Sequence, residues 1–258
     1  MTYFHRLVIA LFIAAPFIAS PSFASEHLST EQVRAVVAAA HGQKIDLSAK
    51  DMSGDDLTGL DLTGARLAGA DFSNANLHGV KLVDADLTGA RLVNTDLTFA
   101  WFIRANFSRS DLHGATLQTV VTSRGMENTP DQAAIFVDAD LSGTHTTLHF
   151  SFDDMRGANF ARADMTVVMA NQSMGLLRTE FKSCDLDGAN FEGAGLGHVT
   201  FRFARLRHAN FRGADLRDTD FIGAYLNDAD FTGARTDRAT FESATLTGVT
   251  GLDTRSPR

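Results

Sequence analysis

A bulky apolar residue at every fifth position is the feature that most restricts this chain. From Leu47 to Leu117 the series has no gap: Leu47, Met52, Leu57, Leu62, Leu67, Phe72, Leu77, Leu82, Leu87, Leu92, Leu97, Phe102, Phe107, Leu112 and Leu117. Neither regular element buries such a series. Five steps around an α-helix leave successive members about 140° apart, and five steps along a strand put them on opposite faces. Only a backbone that turns a corner in every unit hides them all. A small residue two positions before each centre shares the inward face, as at Ala65, Ala70, Ala75, Ala85 and Ala90. Gly recurs two positions after the centre, as at Gly59, Gly64 and Gly69, where an unhindered backbone eases the corner.

The number of walls follows from the second half, where the centres alternate from Leu176 onward: Phe181, Leu186, Phe191, Leu196, Phe201, Leu206, Phe211, Leu216, Phe221, Leu226 and Phe231. With four units per turn each column is uniform, Phe181, Phe201, Phe221 and Phe241 in one and Leu186, Leu206, Leu226 and Leu246 in the next. Three units per turn would mix Phe with Leu in every column, which packs less regularly. Units such as Ala-Asp-Leu-Thr-Gly (85–89) and Ala-Asn-Phe-Arg-Gly (209–213) resemble the pentapeptide-repeat family, over nearly all of the chain beyond residue 24. The resemblance implies an all-β fold, a right-handed quadrilateral β-helix, with coils about 4.8 Å apart. Such a repeat specifies architecture closely and activity hardly at all.

The segments divide as follows. His5 and Arg6 precede an apolar run from Leu7 to Ile18 and a Ser22-Phe23-Ala24 cleavage site, so 1–24 reads as an export signal, too short for a comfortable membrane span. Residues 25–42 form an N-terminal α-helical cap. Ser29-Thr30-Glu31-Gln32 is a capping box with Leu28 and Val33 as a hydrophobic staple, and the helix runs from about Thr30 to Ala40 and stops at Gly42. A first block at 43–121 is divided from a second at 134–252 by an insertion at 122–133, because Leu117 and Phe136 are nineteen apart, and Thr129-Pro130-Asp131-Gln132 reads as the start of a short helix. Within the second block the phase slips by one between Leu141 and Phe150 and returns between Met165 and Leu176, which predicts bulged units. Only Val249 and Leu252 precede a polar tail at 253–258, so the last coil is a candidate surface for pairing two copies into a homodimer.

Charge narrows the partners. The chain carries 23 basic and 31 acidic side chains; loss of the signal removes Arg6 and no acid, leaving a formal charge of −9. That opposes binding to nucleic acid or anionic lipid. The single cysteine, Cys184, falls in a small inward slot and reads as a buried thiol. Asp and Asn recur just before the centres, with Asp56, Asn76 and Asp96 in one outward column. Relatives implied by the resemblance include fluoroquinolone-resistance proteins proposed to mimic DNA, but here the columns Asp46-Arg66-Asp86 and Asp71-Arg91-Asp111 alternate in sign.

One basic stretch stands out: Arg202, Arg205, Arg207, Arg212 and Arg217, with His198 and His208 nearby. Twenty-residue spacing sets Asp185 opposite Arg205, Asp187 opposite Arg207, Glu192 opposite Arg212 and Asp237 opposite Arg217, and the girdle is a candidate for gripping an anionic envelope polymer. The insertion adds Met126, Glu127 and Asp131 to the candidate interaction surface. No catalytic or cofactor motif is present, and a filled solenoid has no interior cavity. The sequence therefore predicts a non-catalytic structural or protein-interaction protein of the bacterial cell envelope, periplasmic or secreted, with an unknown protein or polymer partner. Two alternatives stand beside it: a topoisomerase-binding DNA mimic if the chain is not exported, and a periplasmic copper-binding protein using His145, His149, Met155, Met165, Met169 and Met174.

Overall fold

The computed structural model describes residues 26–125, 128–166 and 178–252. The expected export signal, the polar tail, Met126, Glu127, Met169, Met174 and Leu176 lie outside the described residues.

Each five-residue unit is a tight corner. The small inward residue donates its N–H to the carbonyl of the preceding centre, as Ala65 does to Leu62 at 3.0 Å and Ala209 to Leu206 at 3.2 Å. Two positions after the centre the backbone is left-handed, with Gly69 at φ +66° and Asn74 at φ +60°. Asp or Asn before the centre closes the outer side of the corner. The Oδ1 of Asp46, Asp56 and Asn76 accepts the N–H of Ser48, Thr58 and His78, each at 3.1 Å. This Asx-turn explains why these two residue types recur where they do.

Coils stack in parallel with a twenty-residue step, Asp46 on Arg66 on Asp86 and Asp56 on Asn76 on Asp96. Four walls result. Wall 1 carries Asp46, Arg66, Asp86, Asn106, Ile135, Asp154, Asp185 and Arg205; wall 2 follows from Asp51 and wall 3 from Asp56. Wall 4 carries Asp61, Lys81, Trp101 and Val121, then His149, Glu180, Thr200, Asp220 and Thr240. Walls are mostly single bridges, because corners consume most of each unit. Among the described residues, three-residue strands form only at β1 (Thr116–Gln118) paired with β2 (His145–Thr147), and at β3 (His149–Ser151) paired with β4 (Glu180–Lys182), both pairs parallel.

The shaft is dry. Phe181, Phe201, Phe221 and Phe241 stack down wall 4 with centroids 5.0, 5.1 and 5.1 Å apart. Phe191, Phe211 and Phe231 stack down wall 2 at 5.0 and 4.8 Å. The two columns meet edge-to-face across the shaft, as Phe191 and Phe201 do at 5.4 Å, the offset geometry that ring quadrupoles favour. Leucines of walls 1 and 3 fill the other two sides.

Helix α1 spans Thr30–Ala39 with both halves of the Ser29–Gln32 capping box formed. Val33 is fully buried in the core. The Asp55 carboxylate accepts from the Thr30 N–H and hydroxyl, and Arg34 donates to the Asp56 carbonyl, so the helix rests on the first coil.

Two sequence expectations change, both beyond the first insertion. Asn106 bridges to Ile135 across the first insertion, whose only described regular element is a single 3₁₀ turn at Pro130–Gln132. The β1–β2 pairing crosses that insertion and one core runs from Val33 to Phe231, so 43–121 and 134–252 stack on each other across it. The units after Leu141 are not bulged. Ile135 bridges to Asp154 and Asp140 to Asn159, nineteen positions each, so this coil is one residue short, with the loss at the corner between β2 and β3. Thr146 takes the core centre there in place of a leucine. Finally, Asp154 bridges to Asp185, thirty-one positions on, and Asp164 and Glu180 lie on consecutive walls. A second insertion therefore follows Met165. It was hidden because eleven extra residues equal two units plus one, which cancels the one-residue deficit and restores the phase.

Candidate functional site

Among the described residues no group of three His, Cys, Asp or Glu is placed to hold a metal ion. Met155 and Met165 are core centres, fully buried, so they are removed from the thioether set suggested by the sequence. His145 and His149 point outward beside Asp164 at 3.9 Å and Glu180 at 3.6 Å. Cys184 is buried, and burial pushes its thiol well above its ordinary range, which leaves it a small apolar filler.

The arginine girdle is a ring and not a face. Arg202 lies on wall 4, Arg205 and Arg207 on wall 1, Arg212 on wall 2 and Arg217 on wall 3, because fifteen residues travel three-quarters of a coil. All five are already paired. Arg205 meets Asp185 at 3.6 Å and Asp187 at 3.0 Å, Arg207 meets Asp187, and Arg202 meets Asp220. Two expected partners are replaced: Arg212 pairs with Asp230 at 2.9 Å instead of Glu192, and Arg217 pairs with Asp215 inside its own unit instead of Asp237. Long guanidinium stems reach diagonally to whichever Asx carboxylate the corner holds out, so strict column reading fails for them. The Asp215 carboxyl is held below its ordinary range by the Arg217 hydrogen bonds first, and Asp187 by its Arg207 and Arg205 bonds against the opposing effect of burial.

Of the insertion residues in the predicted surface, only Asp131 is described. It sits in the 3₁₀ turn, its carboxyl lowered first by a Thr129 hydrogen bond and then by Arg104 and Arg124. These arginines belong to the middle coils, so Asp131 and the girdle do not form one site.

What the structure gathers instead lies on and around wall 4. The first insertion leaves after Val121 of wall 4, and the second precedes Glu180 of wall 4. Several large exposed apolar side chains lie on this wall, its corners or the adjoining wall, spread over several coils: Phe99, Trp101 and Phe203 on wall 4 and its corners, and Ile135 and Tyr225 on wall 1. Phe99 and Phe203 also occupy left-handed corner positions, both at φ +60°. Gly, Asn and Asp hold such positions easily, whereas a phenylalanine there is strained. The strain is not repaid by burial, since Phe99 is 48 % and Phe203 53 % exposed. The Phe203 ring lies on Gly223, where any Cβ would stand 2.6 Å from it, so glycine at 223 seats the ring. Sequence reasoning missed these side chains; the signal for Phe99 and Phe203 was a bulky aromatic at a corner position that most units fill with Gly or a polar or charged residue.

One polar residue is out of place in the core. Asp153 fills an inward slot, 2 % exposed, with its carboxyl pushed up to about 8 by burial. Its Oδ1 accepts the Ala134 N–H at 2.7 Å, and its Oδ2 has no partner.

Comparison with known proteins places these coils. The profile described as pentapeptide repeats (8 copies) matches residues 51–89 and 90–118, and that of the pentapeptide repeat region matches 174–250. Among solved structures, HetL, a protein involved in heterocyst differentiation regulation in the cyanobacterium Nostoc, is 24% identical over 88% of this chain and 99% of its own, with a TM-score of 0.28. QnrB1, a plasmid-mediated fluoroquinolone resistance protein, is 14% identical over 82% of this chain and 94% of its own, with a TM-score of 0.48. A protein of the Arabidopsis thaliana thylakoid lumen is 31% identical over 51% of this chain and 71% of its own, with a TM-score of 0.31. No curated protein matches.

Proposed function

Because the chain belongs to the pentapeptide-repeat family, whose filled coils leave only outer surfaces for chemistry, we propose that it is a non-catalytic interaction protein working through those surfaces. The observation that carries this reading is that both insertions border wall 4, where Phe99, Trp101 and Phe203 stand exposed on the wall or its corners. Insertions in a solenoid project from one face and commonly mark its binding side, and exposed Trp, Tyr and Phe are the residues that anchor protein interfaces.

We place the protein in the bacterial envelope on the strength of the apolar run and cleavage site at 7–24. Helix α1 acts as the N-terminal cap, its contacts with Asp55 and Asp56 covering a coil end. The opposite end, where Phe241, Leu246 and Val249 are only partly buried, serves to pair two copies. Photo-cross-linking in intact cells from a probe placed on wall 4 tests the interaction reading. A specific adduct is expected; probes on all four walls that capture nothing overturn it. Fractionation tests the location, since an unprocessed chain in the cytosol removes the envelope assignment.

A further inference from the structure

We propose that the hollow on wall 4 beside the second insertion is a docking site for an acidic polypeptide segment. The proposal rests on the interaction reading above and names its surface and partner chemistry. The hollow has a volume of about 350 Å³ and is lined by Arg178, Glu180, Lys182, Arg202, Phe203 and Asp220, among others.

Its lining carries one more cation than carboxylate. Arg202 is committed to Asp220, and Glu180 lies 3.6 Å from His149. The side chains of Arg178 and Lys182 make no hydrogen bond or ion pair among the described residues; they act only at a distance, helping to lower the Glu180 carboxyl after the larger effect of His149. In a molecule of formal charge −8, a hollow lined by three cations, Arg178, Lys182 and Arg202, against two carboxylates, Glu180 and Asp220, selects an anionic ligand. The apolar part of that lining is the Phe203 ring, more than half exposed, held by a strained backbone and seated on Gly223. A fixed phenyl ring beside two cations matches a chain that carries carboxylates and apolar groups in alternation. Acidic polypeptide supplies both from one extended segment, and an acidic polysaccharide, whose sugar C–H faces also pack on aromatic rings, is the competing ligand that titration with polygalacturonate separates from it. Wall 4 has its backbone groups paired above and below, so the segment docks by side chains and not by adding a strand.

The test titrates the full chain with three probes: a labelled short peptide of alternating Glu and Phe, its Ser-Phe counterpart, and polygalacturonate. The acidic peptide is expected to bind, more weakly as salt rises. The double variant Arg178→Glu, Lys182→Glu weakens that binding by about tenfold or more and Phe203→Ser by severalfold, with circular dichroism unchanged. Arg212→Gln, which removes a cation already paired elsewhere, leaves it unaltered. Binding of polygalacturonate in preference to the peptide, equal binding of both peptides, no binding, or indifference to the double variant overturns the proposal. Cross-linking from Ile222 on wall 4 and from Glu192 on the opposite wall separates the two readings. Capture from Glu192 alone sinks the hollow while sparing the interaction role, and capture from neither wall, nor from walls 1 and 3, removes both.

Discussion

Asp153 shows how a single residue can repair a break in a repeat. In regular units the small inward residue donates its N–H to the preceding centre, but the first insertion leaves Ala134 without that centre, and the Asp153 carboxyl from the next coil accepts in its place. Burial then holds the carboxyl protonated near neutrality, at about 8 against 3.8 for a free aspartate. The folded state keeps a proton that the unfolded chain releases, so the associated stability is complete below about pH 4 and is lost as pH rises towards 8. The limiting slope is about 1.4 kcal/mol per pH unit. Asp153→Asn should flatten the dependence of the urea midpoint on pH between those limits; an unchanged profile would show that the group ionises freely. The aromatic column makes a second residue-scale prediction. Phe201 touches Phe181 and Phe221 in its own column and Phe191 and Phe211 across the shaft. Phe201→Ala should cost about 3–5 kcal/mol in denaturant unfolding, while Phe201→Leu, which restores most of the volume, costs far less.

At the scale of elements, α1 was readable because capping is local chemistry. Ser29 and Gln32 need only each other and the helix backbone, so four residues sufficed to place the start. Ser29→Ala should lower stability by about 1 kcal/mol, read from the thermal or urea transition. The walls were readable for a different reason: a five-residue period admits one solution, and the alternation of Phe and Leu fixed four sides. The insertions were harder. The first announced itself by breaking the phase, but the second did not, since a short coil and an eleven-residue excursion sum to whole units. Phase alone is blind to errors that cancel. The arginine pairings failed at the same level, because side chains as long as Arg212 choose partners diagonally, across corners that column counting treats as closed.

For the molecule as a whole, the continuous core predicts cooperative unfolding across the first insertion. Trp101, the one tryptophan, lies before that insertion, whereas the phenylalanine columns run mainly beyond it. Nearest-neighbour coupling between stacked coils should make the Trp101 fluorescence transition and the far-ultraviolet circular dichroism transition coincide in urea. Two separated midpoints would mean that the insertion uncouples the stack. The amino-acid sequence by itself determined the corner, the inward columns and the four walls, because these depend on spacing along the chain and on the need to bury every fifth side chain. Only the tertiary structure decided that both insertions border the same wall, that the girdle closes on its own aspartates, and that Arg178, Lys182 and Phe203 share one hollow. Those facts depend on which residues become neighbours after stacking, and small changes in coil length alter that neighbourhood without changing the local pattern.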